Sequence, residues 1–353
     1  MRILFLSAAL ALFTMVGFLA VFISAQPKPS DHVSVVVDEQ ARRVDISVDG
    51  KPFTSYIWPT TLKKPVLYPL RTASGTVVTR GYPLEQRPGE RIDHPHHAGL
   101  WLNYENVNGI DFWNNSDAIK IENAPRMGTI VHRSVLSTKS GSQGELDIEA
   151  DWITYDKKAL LKEHTHFVFR GGPGVRSVDR ITTLSAQDEK VDFKDEKDGF
   201  LGLRVVRALE IPSDKAEVYT DASGRPTTVA KLDNTGVNGT YLTSEGKKGD
   251  AAWGTRGRWC NLTGMVGEEP VTITILDHPS NPGFPTYWHA RGYGLFAANP
   301  LGEKVFSEGK QELNFSLAPH ASVTFRYRIL ISSAIVTPET TEAAYKDFAS
   351  AYH

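Results

Sequence analysis

The chain has 353 residues, 29 of them glycine and 20 proline, with 41% hydrophobic and 23% charged residues and a formal net charge of −2. That balance is ordinary for a folded globular chain; with no basic excess, no nucleic-acid partner is expected. The lone cysteine, Cys260, excludes an internal disulfide and a cysteine-based zinc or iron–sulfur site within one chain.

Residues 1–25 read as a targeting segment. Arg2 is its only charge, residues 3–23 are almost wholly apolar, and Ser24-Ala25-Gln26 offers a small-residue cleavage point. The run is long enough to span a bilayer. Cleaved export is therefore the first expectation and an uncleaved signal anchor the second. Either places residues 30–353 in the periplasm or outside the cell, with membrane contact only through the N-terminal segment. No later stretch is apolar enough to cross.

Strands dominate the rest of the chain. Residues 33–35 and 44–48 alternate with period two, Asp49-Gly50 marks a turn, and 51–58 reads as the next strand. The pattern returns at 128–137, 146–155, 160–170, 175–184, 271–276, 312–317 and 322–332, with Gly-Gly-Pro-Gly at 171–174 as a hairpin turn. Cys260, between Trp259 and Asn261 in a strand-like run, reads as a buried thiol. Trp253, Arg256, Arg258 and Trp259 alternate as a strand edge would. Three long connections, 81–119, 213–249 and 277–302, read as loops; such lengths in a domain are functional or disordered. The helix signal is C-terminal: Thr337 as N-cap, Pro338 at N1, Glu339 in the first turn, then Ala344, Phe348 and Ala351 at helical spacing. The expectation is an all-β chain, a large antiparallel β-sandwich over 30–335 with a short helix over 336–353. A closed barrel is the alternative.

The chemistry-bearing residues are histidines. Asp93-His94-Pro95-His96-His97, Glu163-His164-Thr165-His166, and Asp277-His278 with Trp288-His289-Ala290-Arg291 hold seven of the eleven. Imidazole binds metals and moves protons near neutral pH. These segments are expected to converge on one site. In a strand over 160–170, His164 and His166 share one face, and Glu163 and Thr165 share the buried face of Phe167 and Phe169. The proline-stiffened loop after Asp277 suits gripping a polar ligand: tryptophan stacks, arginine donates paired hydrogen bonds, histidine trades a proton. Residues 199–204 lack a following helix and make no phosphate loop. No Gly-x-Ser-x-Gly elbow or His-Glu-x-x-His motif occurs.

Asp93-His94-Pro95-His96-His97-x-Gly99-Leu100-Trp101, Asn108-Gly109-x-Asp111-Phe112-Trp113, Asp198-Gly199-x-Leu201-Gly202-x-Arg204, Asp277-His278-Pro279-x-Asn281 and Trp288-His289-x-Arg291-x-Tyr293-Gly294-Leu295-Phe296 occur in this order. Together they resemble the bacterial family labelled "methane oxygenase PmoA", otherwise a domain of unknown function, over roughly residues 30–335. That family usually carries arginine where this chain has Ala98. The resemblance implies an exported protein of glycan-degrading bacteria with a galactose-mutarotase-like β-sandwich. It does not imply a true membrane methane monooxygenase subunit, which is a bundle of transmembrane helices.

Three functions stand as expectations. The first is an exported carbohydrate-active enzyme, a hydrolase, lyase or epimerase acting on a small-molecule or oligosaccharide substrate. In it His96, His97, His289 and Glu163 do acid–base work, while Trp101, Trp113, Trp288, Arg291, Asp277 and His278 bind substrate. The second is a metalloenzyme, with a divalent iron or zinc held by His94, His96, His164 or His166, with Glu163 as a carboxylate ligand. The third is a glycan-binding protein without catalysis, drawing on the tryptophans.

Overall fold

Period-two alternation builds most of the strands as expected, though within 312–317 only Ser316–Leu317 is one. Gly144–Ile153 buries nearly every second side chain, and Arg43–Val48 does the same. The structure, a computed structural model, describes residues 32–352 apart from 222 and 232; the targeting segment read over 1–25 lies outside these.

Two eight-stranded antiparallel sheets form the sandwich. In spatial order the first holds Val33–Asp38, Arg43–Val48, Lys51–Ile57, Val66–Leu67, Leu100–Tyr104, Gly199–Arg204, Leu295–Asn299 and Tyr287–Arg291. The second holds Thr240–Thr243, Trp259–Val266, Glu269–Asp277, Ser322–Ser332, Val175–Ala186, Ala159–Gly172, Gly144–Ile153 and Thr129–Lys139. One core lies between them. Ile46, Phe53, Leu102, Tyr104 and Phe296 of the first sheet join the same buried cluster as Ile148, Phe167, Ile273, Phe325 and Ile329 of the second. Each such side chain contributes about 1.5–3 kcal/mol by leaving water.

The helix Pro338–Ala349 starts as read, with the Thr337 side chain accepting from the Thr340 amide. It lays Tyr345 and Phe348 against Trp259 and Leu276 of the second sheet. Cys260 is fully buried, and burial raises its thiol.

None of the three long connections is loop throughout: 213–249 contains Glu217–Thr220, Pro226–Val229 and Thr240–Thr243. Residues 81–119 contain the central strand Leu100–Tyr104, and 277–302 contain Tyr287–Arg291 and Leu295–Asn299. Gly199–Arg204 is also a central strand. These four are short, and most are buried on both faces, so they lack the polar alternation that marks a half-exposed strand. Trp253 lies just after the short turn Gly249–Ala252 and not on a strand edge.

Candidate active site on the outer face of the first sheet

The four strands that escape the alternation pattern build the site. Their register sets Trp101, Gly202, Ala297 and His289 in one row across the sheet, and Arg204, Leu295 and Arg291 in the next. On these strands Leu100, Leu102, Leu203, Phe296, Trp288 and Ala290 belong to the core between the sheets. Trp101, Leu295 and Ala297 belong to a separate cluster with Trp113 and Tyr68, so this row stands on the opposite face. Gly202 is small for a reason: a Cβ there would lie 2.5 Å from the Trp101 ring.

The Asp93–His97 loop folds over this row. His94 is left-handed (φ 42°), and so is Gly99 (φ 60°), where a Cβ would stand 2.3 Å from the Leu67 carbonyl oxygen. Arg80 staples the loop. Its Nη1 donates to the Asp93 carbonyl (2.9 Å) and carboxylate, and its Nη2 to the carbonyls of His94 and His97, both at 3.0 Å. Arg204 Nη2 donates to Asp93 Oδ1 at 2.7 Å. Lys64 donates to the His96 carbonyl at 2.6 Å. Tyr293, His94, His97 and Trp101 then stack in sequence, with ring centroids 5.2, 4.8 and 5.3 Å apart.

Beside this stack, Asp111 accepts from the Trp113 and Asn114 amides at 2.9 Å each, which turns Trp113 and Asn114 toward the site. Asn299 holds the carbonyls of Glu196 and Lys197 at 2.9 Å, and His289 Nδ1 lies 2.8 Å from that same Lys197 oxygen. The result is a cavity of about 340 Å³ lined by His94, His96, His97, Trp113, Asn114, Lys197, Asp198, His289, Arg291 and Tyr293.

Hydrogen bonding assigns the imidazole protons. Arg204 can only donate, so His97 Nδ1, 3.2 Å from Arg204 Nη1, is an acceptor and the proton sits on Nε2. The Lys197 carbonyl can only accept, so His289 carries its proton on Nδ1 and leaves Nε2 as a basic lone pair. Both rings are neutral at pH 7. Burial, with the neighbouring His96 and Arg204, holds His97 well below the ordinary imidazole value. Burial lowers His289 to about 4 although Asp198, 3.6 Å away, pulls the other way. Burial and the Lys64 charge lower His96 to about 2. Burial raises Asp93, but the hydrogen bond with His94 and the charges of Arg204 and Arg80 outweigh it and keep its carboxylate ionised. The Nε2 atoms of His96 and His97 are buried with no hydrogen-bond partner among the described residues.

The structure thus brings together the first and third histidine segments, through His94, His96, His97, Trp113, His289 and Arg291. The second does not join them. Glu163 is buried on the second sheet, where its carboxylate takes bonds from Trp152 Nε1 (2.8 Å), Thr165 Oγ1 (2.7 Å) and Arg180 Nη2 (2.8 Å). His164 and His166 stand on that sheet's outer face, at 3.5 and 2.9 Å from Asp147. The reason is the strand pairing, which commits 159–172 to the second sheet. Asp277 and His278 are also elsewhere. Asp277 is fully buried, accepts from Asn281 (2.8 Å) and the Thr286 amide (2.8 Å), and is raised by burial to about 7. His278 Nε2 donates to the Ala351 carbonyl at 2.8 Å, tying down the C-terminus. Trp288 alternates away from His289 into the core. Trp101 is wholly buried beneath His97. Of the tryptophans expected to stack on a sugar, only Trp113 lines the cavity.

The residues expected to hold iron or zinc do not meet. His94 and His96 are on the first sheet's side and His164 and His166 on the second. The His94 and His97 rings are parallel within 4°, so their in-plane lone pairs do not converge. Among the described residues no group of three or more His, Cys, Asp or Glu side chains is placed to hold a metal ion.

Reading the sequence did not single out Asp198, Arg204 and Tyr293 as site residues, although each stands within one of the family's motifs. Arg80 and Lys64 carry no local signal, since only the fold brings them under the loop. Removal of Glu163 provides a check on this placement. Glu163→Ala leaves buried Arg180 unpaired and is expected to cost about 3–5 kcal/mol in denaturant unfolding, with turnover per folded molecule unchanged.

Comparisons with known structures find distant likenesses. A galactose mutarotase-like protein from Clostridium acetobutylicum is 8% identical, with a TM-score of 0.40, over 85% of this chain and 98% of that one. A putative aldose 1-epimerase from Escherichia coli is 10% identical, with a TM-score of 0.34, over 85% and 98%. The galactosidase domain of an alpha-galactosidase-sucrose kinase is 10% identical, with a TM-score of 0.38, and this chain spans 42% of its length. At such distances the likenesses carry no chemistry to this chain. No curated protein matches the sequence significantly. Nothing in the comparisons supports the methane-oxygenase label, and among the described residues no helix is long and apolar enough to cross a membrane. A sequence model matches residues 43–346, and the chain belongs to the family of unknown function DUF6807.

Proposed function

We propose that this chain is a carbohydrate-active enzyme whose reaction is proton transfer between a sugar and the pair His289 and His97. The observation that carries this reading is their opposite protonation in one cavity: His289 offers a bare Nε2, His97 an Nε2–H. A base and an acid of this kind remove a proton from one atom of a substrate and deliver one to another. The pattern favours epimerisation or β-elimination over hydrolysis by two carboxylates. The carboxylates at hand are already engaged, Asp93 by two guanidiniums and Asp198 by Lys197 at 3.0 Å. Asn114 and Trp113 supply a polar contact and an aromatic wall for orientation.

Incubation of the protein with mono- and oligosaccharides in D2O, followed by proton NMR, tests the reading. The expected result is anomeric exchange, deuterium uptake at carbon or an unsaturated product, absent in His97→Ala. Saccharide binding with no chemical change over long incubation would make the protein a binding module instead.

The pH dependence gives a second check. His289 acts as a base only when unprotonated, so the rate should rise as pH climbs through about 4 and stay level from about pH 5 to 8. Intrinsic fluorescence followed in parallel separates this limb from acid unfolding. A rate that falls as pH rises through 6–7 would mean that a protonated imidazole is needed and would remove the assignment.

A further inference from the structure

The histidine cavity has a neighbour across Arg291 and Tyr293. A second hollow, of about 380 Å³, adjoins it and is lined by Arg91, Lys215, Glu217, Asp250 and Trp253 among others. Arg291 and Tyr293 line both. Arg291 stands at this junction with its guanidinium between two rings, 5.2 Å from the Trp253 centroid and 5.7 Å from that of Tyr293. Stacking uses the faces of a guanidinium and leaves its in-plane N–H donors available. Among the described residues no hydrogen bond or ion pair to the Arg291 guanidinium is present, whereas Arg91 is paired with Glu210 and Glu217, both at 2.7 Å, and Lys197 with Asp198.

We propose that the two hollows form one cleft for an anionic oligosaccharide, with Arg291 as the anchor for a carboxylate or sulfate group at the junction. This rests on the carbohydrate reading of the histidine cavity and adds the substrate class. The charge around the cleft favours an anion. Beneath the histidines, Arg80 and Arg204 face the single carboxylate of Asp93. In the second hollow Lys215 balances Asp250, and Arg291 remains in excess. A planar fork held between two rings presents paired donors with little rotamer entropy to lose, the geometry that carboxylates and sulfates accept. Trp253, 40% exposed, forms one wall of the clamp and packs edge-on against Phe306 at 5.9 Å.

Calorimetric titration of the full chain with uronic acid disaccharides, their neutral counterparts, sulfated disaccharides and the matching monosaccharides tests the inference. Acidic disaccharides should bind at least about tenfold tighter than neutral ones and than acidic monosaccharides. Arg291→Gln should abolish the preference for acid, so that acidic and neutral disaccharides bind alike. Arg291→Lys, which keeps the charge but not the fork, should retain only part of it. Comparison of the uronate and sulfate arms tells which anion is read. Equal binding of neutral and acidic disaccharides, or an acid preference that survives in Arg291→Gln, would overturn the anchor and leave the acid–base reading standing. Absence of binding by every saccharide would remove both.

Discussion

Substitution of His289 by glutamine is expected to lower turnover of a saccharide by about a hundred- to ten-thousand-fold, the span of a lost general base. Substrate affinity should change little, because the side-chain amide keeps a similar size. The expectation rests on geometry that glutamine cannot copy. The His289 ring is buried, fixed by the Lys197 carbonyl at 2.8 Å, and that carbonyl is itself fixed by Asn299. Burial depresses the ring to about 4, so its Nε2 is free of a proton at neutral pH without help from a carboxylate. An amide nitrogen or oxygen in the same place is not basic. Steady-state rates and calorimetric affinity, measured on one preparation, separate the two effects. Turnover within threefold of the parent would dismiss His289 as the base.

Asp93→Asn is expected to destabilise the fold by about 3–5 kcal/mol, because it strips the counter-charge from two buried guanidiniums. Arg80 and Arg204 have side chains 1% and 0% exposed, and both address Asp93 Oδ1. The carboxylate is depressed in the folded state, so its stabilisation is complete above the unfolded value near 3.9 and is lost as pH falls below it. Urea unfolding at pH 7 should therefore show the full deficit, and the gap between parent and variant should narrow as acid is added below pH 4. A constant gap would mean that the charge of Asp93 is not what the loop depends on. The same loop carries His94, His96 and His97, so turnover should fall along with stability.

Much of the fold was legible from residue order. The alternation at 44–48, 146–155 and 160–170 reports strands with one face in a core, and Thr337-Pro338-Glu339 reports a helix start, because these signals are local. The strands that carry the site were not legible. Leu100–Tyr104, Gly199–Arg204, Tyr287–Arg291 and Leu295–Asn299 occupy one end of the first sheet, where both faces of most of them are covered, so nothing polar alternates along them.

For the site, residue order shows which residue types are on offer: a five-residue loop with three imidazoles, a Trp-His-x-Arg strand and an Asp-Phe-Trp turn. It could not sort them. His164-Thr165-His166 is as rich in imidazole as the loop at 93–97, yet strand pairing sends it to the far sheet, where the histidines meet Asp147 and Glu163 meets Arg180. It is the folding of the sheet that puts His97 and His289, nearly two hundred positions apart, in one cavity. That folding decided also that one carries its proton on Nε2 while the other leaves Nε2 bare. The physical reason is that a proton's position on imidazole depends on the partner of its other nitrogen. Here those partners are Arg204 and the Lys197 carbonyl, which sequence distance hides and sheet register supplies.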